Sequence, residues 1–160
     1  MARVYVSIGS NVDREHNVVS CLEYLKKAYG ELMVSTIYES KSVGFDGNNF
    51  YNLVAGFDTD DDVYIVADTL HDIENRHGRD RNSKRFAPRT LDIDLLLYDD
   101  LVLHGDGIEI PRDDLVQYVF VLKPLVEIDP DYMHPVLHRT VAEILNESEL
   151  ELADIWPITL

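Results

Sequence analysis

Two carboxylates stand two residues apart in the segment Leu91-Asp92-Ile93-Asp94-Leu95-Leu96-Leu97-Tyr98. The apolar character of this run predicts a strand. The period of two then sets Asp92 and Asp94 on one face, with Cα atoms about 6.5–7 Å apart, and Leu91, Ile93, Leu95 and Leu97 on the other. Like charges at that spacing repel each other and lose hydration, so a counter-cation is expected. Carboxylates with open positions suit Mg²⁺ that carries substrate phosphates. Taken alone, the pattern describes equally well an edge strand kept soluble by its charges. The stretch just before it tips the balance. Of 14 basic residues, Arg76, Arg79, Arg81, Lys84, Arg85 and Arg89 fall within residues 76 to 89, opposed there only by Asp80. A basic segment is often a solvated charge run. Guanidinium groups beside two carboxylates, however, can grip phosphate oxygens bidentately and stabilise charge on a phosphoryl group in transfer. Pro88 restricts the backbone next to Arg89 and so helps to fix that guanidinium.

The whole chain narrows the options further. A formal net charge of −16 over 160 residues argues against a nucleic-acid partner, because phosphate backbones are bound through many Lys and Arg side chains. An RNA-binding module would need a basic sheet face with exposed aromatics, so that reading is poor. The single Cys21 sits in a helical apolar pattern and reads as a small buried hydrophobe. His16, His71, His77, His104, His134 and His138 show no ligand spacing shared with carboxylates, and no Ser, His and Asp set suggests a hydrolase. There is no signal-peptide pattern and no apolar run of membrane-spanning length, so a cytoplasmic protein with no membrane partner is expected. The length suits a single domain over 1–160.

The elements that must hold these residues follow from periodicity. Residues 3–8 alternate as a half-buried strand, with turn chemistry at Gly9-Ser10-Asn11. Val18, Cys21, Leu22, Leu25 and Ala28 recur at helical spacing from about Arg14, and Gly30 stands at the C-cap. Residues 32–39 and 50–58 read as strands around a polar loop. Val63, Val66, Ala67, Leu70 and Ile73 mark a second helix, with Asp62 as N-cap and Gly78 beyond its end; the acidic run 58–62 before it reads as a solvated turn. Residues 117–127 fit a helix or a strand equally. Thr140 with Glu143 forms a capping-box signature for a last helix ending near Leu145. Strand, helix, strand, strand, helix, strand is the split βαβ order of a ferredoxin-like α+β fold. It predicts an antiparallel sheet with helices packed on one face and the other face free.

The sequence resembles the 6-hydroxymethyl-7,8-dihydropterin pyrophosphokinases of folate biosynthesis. The likeness runs through Ile8-Gly9-Ser10-Asn11, Phe50-Tyr51-Asn52, Glu74, Gly78-Arg79, Ala87-Pro88-Arg89-Thr90-Leu91-Asp92-Ile93-Asp94, Phe120 and Pro124-Leu125. It implies transfer of the β,γ-pyrophosphoryl unit of ATP to the pterin hydroxymethyl group, with AMP as the other product and two Mg²⁺ ions required. By the same resemblance Asp92 and Asp94 would bind the metals, and Arg79 and Arg89 would hold phosphates and stabilise the transfer. Ser40, Val43, Phe50, Asn52, Phe86 and Phe120 would hold the pterin. Glu74, Arg81, Arg89, Leu95 and Arg112 would hold ATP. A monomer with these small-molecule substrates is expected. Three places depart from the family pattern: Pro111-Arg112-Asp113 replaces Pro-His followed by Tyr or Pro, Tyr118 replaces an arginine, and Glu39–Gly44 lacks the usual prolines. They imply altered nucleotide contacts and a differently lined pterin pocket. The alternative they raise is a pterin- or nucleotide-binding paralogue with reduced or altered activity.

Overall fold

The first strand, β1 (Ala2–Ser10), is an interior strand of the sheet, bonded on both sides, and continues past the expected turn as far as Ser10. It leads into helix α1 (Arg14–Tyr29), which ends on Gly30 at φ 82°. The region expected as one strand over 32–39 is two, β2 (Met33–Val34) and β3 (Ile37–Ser40). They are separated at Ser35, whose hydroxyl accepts the Val54 backbone N–H at 3.0 Å. Strand β4 (Phe50–Thr59) and helix α2 (Val63–Arg76) follow, the helix capped by the Asp62 carboxylate, which accepts from Ile65 N–H at 2.9 Å. Strand β5 (Asp92–Tyr98) carries the two carboxylates. The computed structural model describes residues 1–42, 48–78 and 91–160.

Beyond β5 come a hairpin of β6 (Leu103–Gly105) and β7 (Ile108–Ile110), then α3 (Asp114–Gln117), α4 (Val119–Ile128), α5 (Val141–Glu147) and a final strand β8 (Ile155–Ile158). The ambiguous stretch 117–127 is therefore helical, and Thr140 and Glu143 form the expected capping box of α5. The main sheet has the order β5-β1-β4-β3-β8, with β2 also on β4. Every pairing is antiparallel. This is an α+β fold whose first four-strand order is that of the ferredoxin-like arrangement.

Each sheet face buries its own core. Val4, Val6 and Ile8 of β1 join Leu53, Ala55 and Phe57 of β4 and Leu91, Ile93 and Leu95 beneath α1 and α2. The helices expected on one face are thus α1 and α2. The opposite face is not free, which corrects the expectation. Tyr5, Val54, Leu96 and Leu97 pack there against Leu115, Val121, Leu122, Leu125 and Val141 from α3, α4 and α5. Strong hydrophobicity of α4 with no clear period concealed this second layer. Leu97 also lies on this side, not with Leu91, Ile93 and Leu95. The register of β5 against β1 shifts between Tyr5↔Leu97 and Val6↔Leu95, and this bulge at Leu96 reverses the alternation. No helix among the described residues is long and apolar enough to cross a membrane.

Candidate active site

The α3–α5 layer covers only part of its sheet face, and the polar residues collect at the other end. Gly9 of β1 lies opposite both Asp92 and Asn52, and Ser7 lies opposite Asp94. On the far side of β4, Asn52 pairs with Tyr38 and Phe50 with Ser40. Because partners in register share a face, Asp92, Asp94, Asn52, Phe50 and Ser40 form one row across four strands. Gly9 lets the Asn52 amide approach closely at its centre. A Cβ there would lie 3.0 Å from the Asn52 Oδ1 and 3.8 Å from the Phe50 ring.

At the β3 end of this row, Asn52 Nδ2 donates to Ser40 Oγ at 2.8 Å, and both residues are buried. The bond fixes the amide and turns Oδ1 towards Gly9. Ser40 and Phe120 then line a cavity of about 540 Å³ together with Lys41, Tyr118, Ile155 and Trp156. Tyr118 stacks on Phe120, with ring centroids 4.9 Å apart and planes 19° from parallel. Tyr118 and the strand β8 wall were not foreseen as lining residues. The aromatic pair at 118 and 120 was visible in the sequence, but the C-terminal segment offered no signal before its pairing to β3 was known.

At the β5 end, Asp94, Leu95 and Arg112 share a groove with Ala67, Leu70 and His71 of α2 and Ile108 of β7. The hairpin turn Gly105-Asp106-Gly107, with all three residues at positive φ, was a sequence signal that would have found this wall. Glu74 is buried and accepts the Ile93 N–H at 2.9 Å, so its carboxylate braces β5 between the two aspartates. Burial first, and then the Asp92 carboxylate, push Asp94 up to about 7, while Arg112 pulls in the other direction. Arg112 lies 3.6 Å from Asp94 and 3.4 Å from Asp114. The surplus of negative charge at Asp92 and Asp94 fits a cation, and hard carboxylate oxygens fit Mg²⁺. Among the described residues no three His, Cys, Asp or Glu converge as a complete ligand set. Val43, Arg79, Arg81, Phe86 and Arg89 lie outside the described residues.

The family described as 7,8-dihydro-6-hydroxymethylpterin-pyrophosphokinase matches residues 5–130. The chain is 34% identical over 153 residues to the 2-amino-4-hydroxy-6-hydroxymethyldihydropteridine pyrophosphokinase of Aquifex aeolicus, covering 94% of this chain and 95% of that protein. It is 31% identical over 159 residues to the protein of the same name from Haemophilus influenzae, covering 96% and 95% of the two. In fold it is similar to the wild-type HPPK-DHPS of Plasmodium falciparum, with a TM-score of 0.70 at 16% identity. That match covers 92% of this chain and 43% of the other, so the chain spans less than half of that protein's length.

Proposed function

This chain belongs to the 7,8-dihydro-6-hydroxymethylpterin-pyrophosphokinase family, and from that premise we propose that the polar row across β5, β1, β4 and β3 is its reaction centre. The chain is a transferase of folate biosynthesis that passes pyrophosphate from ATP to 6-hydroxymethyl-7,8-dihydropterin. The observation that carries the site assignment is the shared face. Asp92 and Asp94 stand at one end of it and the Asn52–Ser40 pair at the other. Three strand spacings, about 14 Å, separate β5 from β3. A nucleotide at one end can therefore present its phosphates to an acceptor at the other.

Arg112, Leu95 and the α2 side of the groove hold the nucleotide, and Glu74 serves it indirectly by fixing β5. Asn52 and Ser40 hydrogen-bond the pterin edge, and Phe50 and Phe120 supply its apolar and stacking contacts. Val43 and Phe86 complete this pocket. Two Mg²⁺ ions fit the carboxylates of Asp92 and Asp94; when bound they neutralise and orient the phosphates. Arg79, Arg81 and Arg89 grip phosphate oxygens, Arg79 and Arg89 also stabilising charge during transfer. The protein works as a cytoplasmic monomer with one domain over 1–160. One continuous sheet with a packed core on each face supports the single domain.

The test is AMP formation from ATP, Mg²⁺ and the pterin. Formation should require all three and fall roughly a hundredfold or more in Asp92→Ala with the fold retained by circular dichroism. Near-normal AMP production by that variant would remove Asp92 from the metal site. Absence of pterin-dependent AMP in the wild type would instead favour a paralogue that binds without turnover.

A further inference from the structure

Arg112 is held by its backbone and left loose at its tip. Its N–H donates to Leu96 O at 3.2 Å, and its own carbonyl accepts from Leu115 N–H at 3.1 Å, which ties the residue to β5 and α3. The guanidinium is different. Its contacts to Asp94 and Asp114, at 3.6 and 3.4 Å, exceed the roughly 2.7–2.9 Å of a hydrogen-bonded ion pair. Its buried Nε makes no hydrogen bond among the described residues. The attraction is therefore Coulombic without the directional bonds that would lock it. The side chain is 38% exposed and borders the groove with His71, Leu95 and Ile108, so it can turn without moving the backbone.

We propose that Arg112 is a resident counter-ion for Asp94, opposing a free divalent cation there and released when a metal–nucleotide complex offers phosphate oxygens in place of the carboxylate. This rests on Asp94 being a metal ligand. Free metal must displace the guanidinium and leaves it with Asp114 alone. Metal arriving on a polyphosphate gives the same guanidinium a new anionic partner within the groove. Arg112 thereby couples the two ligands: each raises the affinity for the other, and the coupling is lost with the charge. Arg112 acts here as a positioning residue that keeps Asp94 for loaded nucleotide.

The experiment measures Mn²⁺ binding by electron paramagnetic resonance, and binding of the Mn²⁺ complex of a non-hydrolysable ATP analogue by calorimetry. Wild type, Arg112→Gln, Arg112→Lys and Asp94→Asn are compared. Arg112→Gln should bind free Mn²⁺ up to about fivefold more tightly and the Mn²⁺–nucleotide complex up to about fivefold more weakly, a scale set by a partly exposed ion pair. Loss of fold or of packing would weaken both, and opposite changes are outside its reach. Arg112→Lys should stay nearer to wild type on both measures. Free Mn²⁺ affinity that is unchanged or reduced in Arg112→Gln overturns the counter-ion role, as does a lysine variant that behaves like the glutamine one. Mn²⁺ binding indifferent to Asp94→Asn overturns the metal assignment itself, and the proposal with it.

Discussion

Asp94 meets two opposed demands, since the position that suits a metal ligand is a poor place for a bare carboxylate. Burial and the neighbouring Asp92 raise it from 3.8 to about 7. The folded, metal-free protein therefore holds a proton at Asp94 more tightly than the unfolded chain does. Between about pH 4 and pH 7 the folded state binds more protons, so this group's contribution to stability falls as pH rises. Asp94→Asn removes the penalty. In metal-free buffer it should be more stable than wild type at pH 8, by at most about 4 kcal/mol, with the advantage shrinking towards pH 4. Urea denaturation at the two pH values checks this, and an advantage that instead grew on acidification would contradict it. The pair of carboxylates was legible in the sequence because a strand's period of two fixes their common face whatever surrounds it. Arg112 beside Asp94 was not, because a contact between β5 and the start of α3 depends on how the intervening hairpin folds back.

Strand β5 is aimed by its neighbours as much as by its own sequence. Glu74 reaches from α2 to the Ile93 N–H, a donor that faces away from β1 and would otherwise be buried unpaired. Glu74→Ala should cost about 1–3 kcal/mol of stability. It should also weaken Mn²⁺–nucleotide binding by loosening the strand that carries both aspartates. Calorimetry of Glu74→Ala beside Glu74→Gln provides the check, since the amide can still accept that bond; equal losses in the two would point to charge and not to the brace. The elements read correctly from sequence, α1, α2, α5 and the strands β1, β4 and β5, are those with alternation or helical spacing and, for the helices, a cap or glycine at one end. Those missed are of another kind. The hairpin of β6 and β7 is short, β8 depends on an edge offered by β3, and the bulge at Leu96 shows no residue-level cue in a run of leucines. For the candidate site, the sequence reading named Asp92, Asp94, Asn52 and Phe120 among others, Arg112 included. It did not supply Tyr118 or Trp156, whose place is set by the packing of α4 and β8.

Over the whole molecule, charge is divided unevenly. Outside residues 76–89, eight basic residues face 29 acidic ones, and such self-repulsion opposes the compact state. Screening shortens from about 30 Å at 0.01 M to about 10 Å at 0.1 M salt. The thermal midpoint of the metal-free protein should therefore climb steadily as sodium chloride is raised through that range. A midpoint that falls would mean that attractive pairs such as Arg3–Asp58 at 2.5 Å outweigh the repulsion. The sheet itself has a strong middle and a weak margin. β1 is bonded on both sides, whereas among the described residues β8 pairs only with β3, and Pro157 sits opposite Tyr38 with no N–H to give. Tension applied through the two chain ends would consequently tear β8 away while β1 still holds. Since Ile155 and Trp156 wall the 540 Å³ cavity, a mechanical load on the C-terminal end would open that cavity before the core yields.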